Sequence, residues 1–503
     1  MRSVGVGVCR FEGKLNLVLS PHFPQYRCRK SINFCLQKKK KKLNLKIQGS
    51  RLLKSQPHAA SSSSPLTSSG AQYSEPLLDT NTNRKKRIAG IDQDELLDPS
   101  LLADPDSCFC EFQGVQIHHK IYEFQAPNSV QNHTLSQLPM ILLHGFGASV
   151  FSWNRVMKPL AELTGSKVLA FDRPAFGLTS RLNFSSHSSP ATENRRPLNP
   201  YSMAFSVLAT LYFIDFLAAE KAILVGLASN LGFWILGASC VCTSYMHSAG
   251  SLTAVNSYFE APERVAALIL VAPAILAPLI VHKAVKGNHL GRENWMEKDS
   301  SDSSNLRNPF LKLYKVLLKF AKHVAQATMQ MVKGMAVMLN SLYKKLLSAI
   351  LRSAFAVMLV RMVIDKFGIA AIRNAWYNSS QVTEHILYGY TKPLRTKGWD
   401  RALVEYTAAM LTDTGTESKP PLEKRLHEIS CPVLIVTGDS DRIVPSWNAQ
   451  RLAQAIPGSH LEVIKHCGHL PHEEKVEQFV SVVEKFVQRV FGEPEKQCLE
   501  AVT

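Results

Sequence analysis

The sequence predicts an α/β protein with a doubly wound, mostly parallel sheet and an inserted helical lid. Short apolar runs of strand length alternate with helical patterns over most of residues 109–491. This alternation is typical of parallel strands joined by crossover helices. It breaks once, at residues 276–395, where long helical patterns replace it.

The elements follow in chain order. Residues 109–124 alternate apolar and polar side chains, which suits an edge strand or a hairpin. Residues 201–220 and 473–491 have helical patterns, and residues 181–200 are polar and rich in Ser and Pro, as in a loop. Apolar runs typical of strands buried on both faces occur at residues 139–147, 167–177, 222–226, 265–274 and 432–439, and residues 460–465 continue the alternation of strands and helices.

The basic charge is concentrated near the N-terminus. The chain has a formal net charge of +18, and residues 1–60 hold fourteen Lys and Arg but one acidic residue. With the Ser-rich residues 61–74, this composition predicts an organellar transit peptide, for a chloroplast before a mitochondrion. A nuclear signal at residues 38–42 or 84–87, or a basic tail of a cytoplasmic protein, is the alternative. We exclude residues 1–85 from the fold, and the remaining chain has no nucleic-acid-binding motif.

Three loops that follow predicted strands carry residues suited to acyl transfer. Residues 144–147 (HGFG) offer backbone N–H groups that can stabilise an oxyanion. Asp441 and His469 follow two other strands, and the carboxyl ends of parallel strands meet at one edge of a sheet. Asp441 can therefore orient His469 as a general base. His466 and His472 are rival bases, but neither follows a glycine as His469 does.

The nucleophile of such a site is expected in a Gly-x-Ser-x-Gly turn between a strand and a helix. One predicted strand ends at Gly226, but the matching residues 247–250 (HSAG) come only after residues 227–246. Removal of those residues would join Gly226 to His247 and complete the turn around Ser248.

Three interpretations of residues 227–246 stay open. The segment is a translated intron or a gene-model error, or it marks a genuine isoform. In that isoform Met246 replaces the glycine before Ser248 and disrupts a crowded turn. The third interpretation is a transmembrane helix, since residues 222–259 contain no charged side chain. Ser229 is a weaker candidate nucleophile because leucines occupy both glycine positions around it.

Five motifs in this order resemble the α/β-hydrolase superfamily over about residues 109–491. They are HGFG at 144–147, FDRPAFGLTS at 171–180, GHSAG at 226 and 247–250, GDSD at 438–441 and CGHLPHEE at 467–474. Together with the basic leader, they are similar to the plastid-targeted plant members of the lid-bearing Ser-His-Asp branch. The resemblance implies that Ser248 is the nucleophile, Asp441 the triad acid and His469 the base. It also implies an oxyanion hole made by the N–H groups of Phe146 and Ala249.

Other motif residues are expected to shape the loops rather than to react. They are His144, Gly145, Gly147, Asp172, Arg173, Gly226 and Gly250. Asp172 and Arg173 are predicted to form a structural ion pair or to anchor their loop. The resemblance implies no metal and no organic cofactor.

The inserted segment, residues 276–395, lies where this family places a lid, between core parts at residues 86–275 and 396–503. Residues 310–367 are apolar and basic at helical spacing. The apolar face either covers the active site, with the lysines in solvent, or lies on an anionic membrane surface.

A hydrophobic lid implies a small apolar acyl substrate. The predicted function is therefore a serine hydrolase that cleaves an ester, a thioester or a related acyl compound. The alternatives are a binding or scaffold isoform silenced by residues 227–246, and an acyltransferase on the same fold.

Overall fold

The computed structural model describes residues 87–124, 138–181, 198–228, 249–275, 309–412 and 420–492. The chain divides into two units, residues 1–82 and 83–503, and all described residues belong to the second. The predicted leader and residues 229–248 lie outside the described residues, so the transmembrane interpretation of that segment does too.

Eight of the described strands fall on segments predicted as strands, whereas the two short strands at residues 87–92 were not predicted. The described strands are β1 (Arg87–Ile88), β2 (Ile91–Asp92), β3 (Cys108–Phe112), β4 (Val115–Glu123), β5 (Met140–Leu143), β6 (Lys167–Phe171), β7 (Ala222–Leu227), β8 (Val265–Val271), β9 (Val433–Gly438) and β10 (His460–Ile464). The described α-helices are α1 (Asn154–Thr164), α2 (Met203–Phe216), α3 (Ala249–Glu260), α4 (Pro309–Leu351), α5 (Ala354–Ala375), α6 (Glu384–Thr391), α7 (Trp399–Thr412), α8 (Ser446–Ala455), α9 (Pro471–Glu474) and α10 (Val476–Phe491).

Eight of the described strands form one sheet, in the order β10-β9-β8-β7-β5-β6-β4-β3. β4 runs antiparallel to both β3 and β6, and the other neighbours pair in parallel. This confirms the predicted mostly parallel α/β sheet. The strand order reverses at β5, between β6 and β7, and such a switch point is where open α/β sheets bind ligands.

Helices cover both faces of the sheet because its central strands are apolar on both sides. Every residue of β5 and β7 is buried. On one face α1 and α10 pack through side chains such as Leu160 and Phe479. On the other face α2, α3 and α8 pack through side chains such as Phe213, Val255 and Leu452.

A helical region from α4 to α7 connects β8 to β9, in the part of the chain where the sequence predicts the lid. The helices continue to Thr412, past residue 395, and residues 276–308 lie outside the described part of the chain. Arg352 donates to Glu405 at 2.8 Å, and Arg361 donates to Asp400 at 2.7 Å. These ion pairs link the end of α4 and the first half of α5 to α7.

The apolar side of α4 does not cover the active site, contrary to one of the two expectations. Leu317 is 57% exposed and Met331 is 69% exposed. A helix of 43 residues is about 64 Å long, and α7, with 14 residues, can cover only a part of it. α5 and α7 contribute the apolar cover instead, through Ile364 and Leu403.

Among the described helices, none alone is long and apolar enough to cross a membrane. Leu313–Leu351 and Ala354–Ala375 reach that composition only as a pair bent by 62°.

Candidate active site

The structure brings Asp441 and His469 together, as the sequence predicts. Asp441 follows β9 and His469 follows β10, and these strands are parallel neighbours. His469 Nδ1 lies 2.7 Å from Asp441 Oδ2, and both side chains are fully buried. A buried carboxylate on Nδ1 fixes the ring orientation and leaves Nε2 to face the reacting group.

Backbone hydrogen bonds hold both partners of this pair. Asp441 Oδ1 accepts the N–H groups of Ile443 and Val444, each at 2.8 Å. The His469 N–H donates to the carbonyl of Ala375, the last residue of α5, at 2.7 Å. The helical region therefore contacts the candidate base directly.

The rival histidines do not reach Asp441. His466 is exposed and lies beside the ring of Tyr377. His472 is buried with its ring centroid 4.4 Å from that of Trp153. Burial, together with the neighbouring His469, lowers the pKa of His472 to about 3, so this ring is neutral.

The loop after β5 lies beside the start of α3, where the oxyanion hole is predicted. Phe146 and Ala249 pack in one buried cluster with Phe176 and Tyr406. Among the described residues, no acceptor receives the Phe146 N–H. The residues of the two predicted donors therefore pack in one cluster, and the Phe146 N–H has no described partner.

His144 and Arg173 hold this loop in shape. His144 Nδ1 donates to the Gly145 carbonyl at 2.7 Å, and Nε2 accepts from the Arg173 N–H at 3.1 Å. Burial and the Arg173 charge lower the pKa of His144 to about 3, which matches this one-donor tautomer. The Arg173 guanidinium donates to the His144 carbonyl at 2.9 Å.

Asp172 anchors its loop and does not pair with Arg173, which excludes the ion-pair alternative. Its carboxylate accepts the N–H groups of Val150 and Leu178, each at 2.7 Å, and contacts His118 Nδ1 at 2.6 Å. Burial would raise the pKa of Asp172, but His118 and these hydrogen bonds outweigh burial and lower it. Arg173 donates instead to the neighbouring loop carbonyl of His144.

The end of β7 and the start of α3 meet as a nucleophile turn requires. Ser251 Oγ donates to the Gly226 carbonyl at 2.8 Å, and a Cβ on Gly226 would lie 2.6 Å from Ser251 Cα. A Cβ on Gly250 would overlap the carbonyl oxygens of Leu143 and Leu227. Glycine is therefore required at both positions. Ser248 itself lies outside the described residues.

One contact was not predicted. His469 Nε2 lies 2.8 Å from the carbonyl oxygen of Ala228, two residues after Gly226. The Ala228 carbonyl therefore stands at the position from which a serine hydroxyl would have to reach Nε2.

A second buried polar group lies behind the His469 loop. The Tyr390 hydroxyl donates to Glu473 Oε1 at 2.5 Å, and Arg155 donates to the Glu473 carbonyl. Burial raises the pKa of Glu473 to about 8, against the opposing effects of Tyr390 and Arg155. Within the described ranges, no three His, Cys, Asp or Glu side chains gather as a metal site.

A profile of the alpha/beta hydrolase family matches residues 140–482, about two thirds of the chain. A 2-hydroxy-6-oxononadienedioate/2-hydroxy-6-oxononatrienedioate hydrolase of Pseudomonas putida is 44% identical over 69 residues, which are 14% of this chain and 24% of the relative. A pimeloyl-[acyl-carrier protein] methyl ester esterase of Nitrosomonas europaea is 40% identical over 60 residues, 12% of this chain and 24% of the relative. The chain spans about a quarter of the length of these relatives.

Solved structures also align with the chain. An esterase from Thermogutta terrifontis has a TM-score of 0.43 and 16% identity, over 75% of this chain and 94% of that one. A hydrolase from Pseudomonas aeruginosa has a TM-score of 0.44 and 15% identity, over 76% of this chain and 98% of that one.

We expect Asp172→Ala to destabilise the protein by about 3–5 kcal/mol, because it leaves two buried N–H groups and His118 without their acceptor. Asp215→Ala is the matched control. It removes an exposed ion pair with Arg264 and is expected to cost about 1 kcal/mol or less. Urea unfolding measures both losses, and equal losses would contradict the anchor role of Asp172.

Glu473→Gln is expected to flatten the pH dependence of stability. The folded-state pKa of Glu473, about 8, lies above its ordinary value of 4.5. Between these values the folded protein holds a proton that the unfolded chain releases, so stability falls as pH rises through this window. The glutamine variant lacks this loss, which amounts to about 1.4 kcal/mol per pH unit at most.

Thermal unfolding of the wild type and Glu473→Gln at pH 5 and pH 8 measures the difference. Glu477→Gln, on the exposed first turn of α10, is the control for the charge change. Parallel pH dependences in the wild type and Glu473→Gln would show that Glu473 is not held neutral.

Proposed function

We propose that this chain, which belongs to the alpha/beta hydrolase family, is a serine hydrolase that cleaves an apolar ester or thioester. The observation that carries the proposal is the fully buried contact between His469 and Asp441. It lies at the carboxyl ends of β9 and β10, on the same edge of the sheet as the loop after β5 and the start of α3.

In the proposed mechanism, Ser248 attacks the acyl carbonyl and His469 Nε2 takes its proton. Asp441 holds the ring in place and stabilises the imidazolium that forms. The N–H groups of Phe146 and Ala249 donate to the oxyanion, a contribution often worth about 3–4 kcal/mol per donor. His469 then protonates the leaving group, and water hydrolyses the acyl-enzyme through the same base.

An apolar acyl group is the substrate that the surroundings favour. Phe146, Phe176 and Tyr406 form an aromatic group whose ring centroids are 4.8 to 5.9 Å apart. Leu403 of α7 and Ile364 of α5 pack on the same cluster. The relatives that share short segments are named as a dienedioate hydrolase and a methyl ester esterase, which supports hydrolysis at an acyl carbon.

The contact of His469 with Ala228 favours a second candidate, a silenced form of the same enzyme. Ala228 stands two residues after Gly226, at the position that the turn motif assigns to the nucleophile. Its carbonyl oxygen lies 2.8 Å from Nε2 of His469, the proposed base. In the chain that lacks residues 227–246, His247 and Ser248 would follow Gly226. The close contact of Gly226 with Ser251 shows that the flanks already meet. We therefore propose that the shortened chain is the active one.

A fluorophosphonate probe tests this proposal, because it labels activated serines. We expect the chain without residues 227–246 to label at least about tenfold faster than the full chain, since only its base has a serine to activate. Ser248→Ala should abolish that labelling, and His469→Ala should reduce it by orders of magnitude.

Equal labelling of Ser248 in both chains would contradict silencing by residues 227–246 but would support the hydrolase. No labelling of either chain, with both shown to be folded by circular dichroism, would contradict the hydrolase. Release of product from a p-nitrophenyl acyl ester, with and without an added alcohol, separates hydrolysis from acyl transfer.

A further inference from the structure

The long helix α4 is not used by the proposed active site, yet its apolar side chains are exposed. Phe310 is 78% exposed and Phe320 is 68% exposed. Every residue from Leu313 to Leu342 whose side chain the structure describes is exposed. Contiguous apolar surface of this size marks an interaction site in a soluble protein.

The helix carries most of its lysines and a row of large apolar side chains on opposite sides. Each residue is rotated by about 100° around the helix axis from the one before it. Five lysines therefore fall within one arc of about 60°, and no other charged residue lies in that arc. They are Lys315, Lys319, Lys322, Lys333 and Lys344. A second arc of about 60°, on the opposite side, holds large apolar side chains. They are Leu313, Leu317, Phe320, Val324, Met331, Met335, Met338 and Leu342.

The charge on this helix has one sign. Residues 309–351 contain seven lysines and no Asp or Glu, although Lys345 lies near the edge of the apolar arc. An acid-free lysine row is electrostatically complementary to a negatively charged surface. An apolar row opposite it requires that this surface also take up hydrocarbon.

We propose that α4 docks this protein on an anionic membrane surface. The helix lies in the plane of the interface, its apolar row among the acyl chains and its lysine row among the headgroups. Lysines near such a surface are each attracted by the anionic lipids, and long lysine stems reach the headgroups from a partly embedded helix. The docking does not depend on hydrolase activity.

A second copy of the chain fits this helix less well. A two-helix seam between copies needs an apolar side chain at alternate spacings of three and four residues. Continuing the row Leu317, Phe320 and Val324 in that register reaches positions 327, 331, 334, 338, 341 and 345. These are Ala, Met, Gly, Met, Ser and Lys, so four of the six are small, polar or charged. The apolar row instead recurs every eleven residues, at Leu313, Val324, Met335 and Leu346, which keeps it on one side of a straight helix.

Crossing the membrane also fits less well than lying on it. The helix is about 64 Å long, and the hydrocarbon core of a bilayer is about 30 Å thick. A span of about 20 residues placed between Lys322 and Lys344 would still bury Lys333, and no single described helix is long and apolar enough to cross a membrane.

Docking through α4 would place α5 and α7, the helices that cover the candidate site, close to the membrane. The end of α4 is joined to α7 by the ion pair of Arg352 with Glu405, and α5 ends at the Ala375 carbonyl that holds His469. This consequence rests on the proposed function: the apolar acyl substrate would then reach the site from the membrane.

Vesicle co-sedimentation of residues 83–503 tests the docking. This compact unit is used because the basic residues 1–60 would bind anionic vesicles independently. The vesicles are phosphatidylcholine alone, or phosphatidylcholine mixed with phosphatidylglycerol. We expect binding to the anionic vesicles to exceed binding to the neutral ones roughly tenfold or more, and to weaken at high salt.

Two triple variants and a control assign the binding to α4. Lys315→Gln, Lys319→Gln and Lys322→Gln together should weaken binding to anionic vesicles by roughly tenfold or more. Leu317→Gln, Val324→Gln and Met331→Gln together should remove binding to both vesicles. The control changes three exposed lysines elsewhere, Lys158, Lys424 and Lys485, to Gln and should bind like the wild type.

Three results would overturn the proposal. The first is a wild type, folded by circular dichroism, that binds no anionic vesicles. The second is an equal loss in the control and the α4 lysine variant, which would show unspecific surface charge. The third is an apolar variant that keeps its vesicle binding but changes from dimer to monomer in analytical ultracentrifugation. That result would identify a second copy as the occupant. Because no assay uses a substrate, failure here leaves the hydrolase proposal untouched.

Discussion

The candidate site depends on burying His469 against Asp441 with every polar side-chain atom of the pair in a hydrogen bond. An ionisable pair without solvent contact is stable only when its remaining lone pairs and protons have partners. Asp441 obtains them from two backbone N–H groups of its own loop, and the His469 backbone from the end of α5. The sheet, the two loops and the inserted helices are therefore coupled through one contact. Displacement of α5 would remove the acceptor that holds the base.

The sheet and the positions of Asp441 and His469 were predictable because they follow from local patterns. Strands buried on both faces give continuous apolar runs, and the loops after them carry the polar residues. The pairing of Asp172 was not predictable: its partner His118 is 54 residues away and on an edge strand. The contact of His469 with Ala228 had no signal either, because a backbone carbonyl can be contributed by any residue type.

The helical insertion shows why amphipathicity predicts a helix but not its surroundings. The spacing of apolar residues gave the helix correctly, and it allowed either the protein core or an outside surface to meet the apolar face. In the structure α5 and α7 use their apolar side chains to cover the loop after β5, whereas α4 leaves its own exposed. α4 differs from α5 and α7 because of its length: only part of a 43-residue helix can lie against the helices that cover the candidate site.

The junction of β7 with α3 shows that close packing of the strand against the helix does not by itself make a catalytic site. Gly226 and Gly250 allow the strand and the helix to meet closely in a chain that carries twenty further residues between them. A comparison of backbones would therefore count this chain among working hydrolases, whatever residue follows the strand. If the proposed silencing by residues 227–246 holds, transcripts that keep or lack those residues would encode proteins in different catalytic states. For such a gene, the amount of messenger of each kind, rather than the amount of folded protein, would set the activity of the cell.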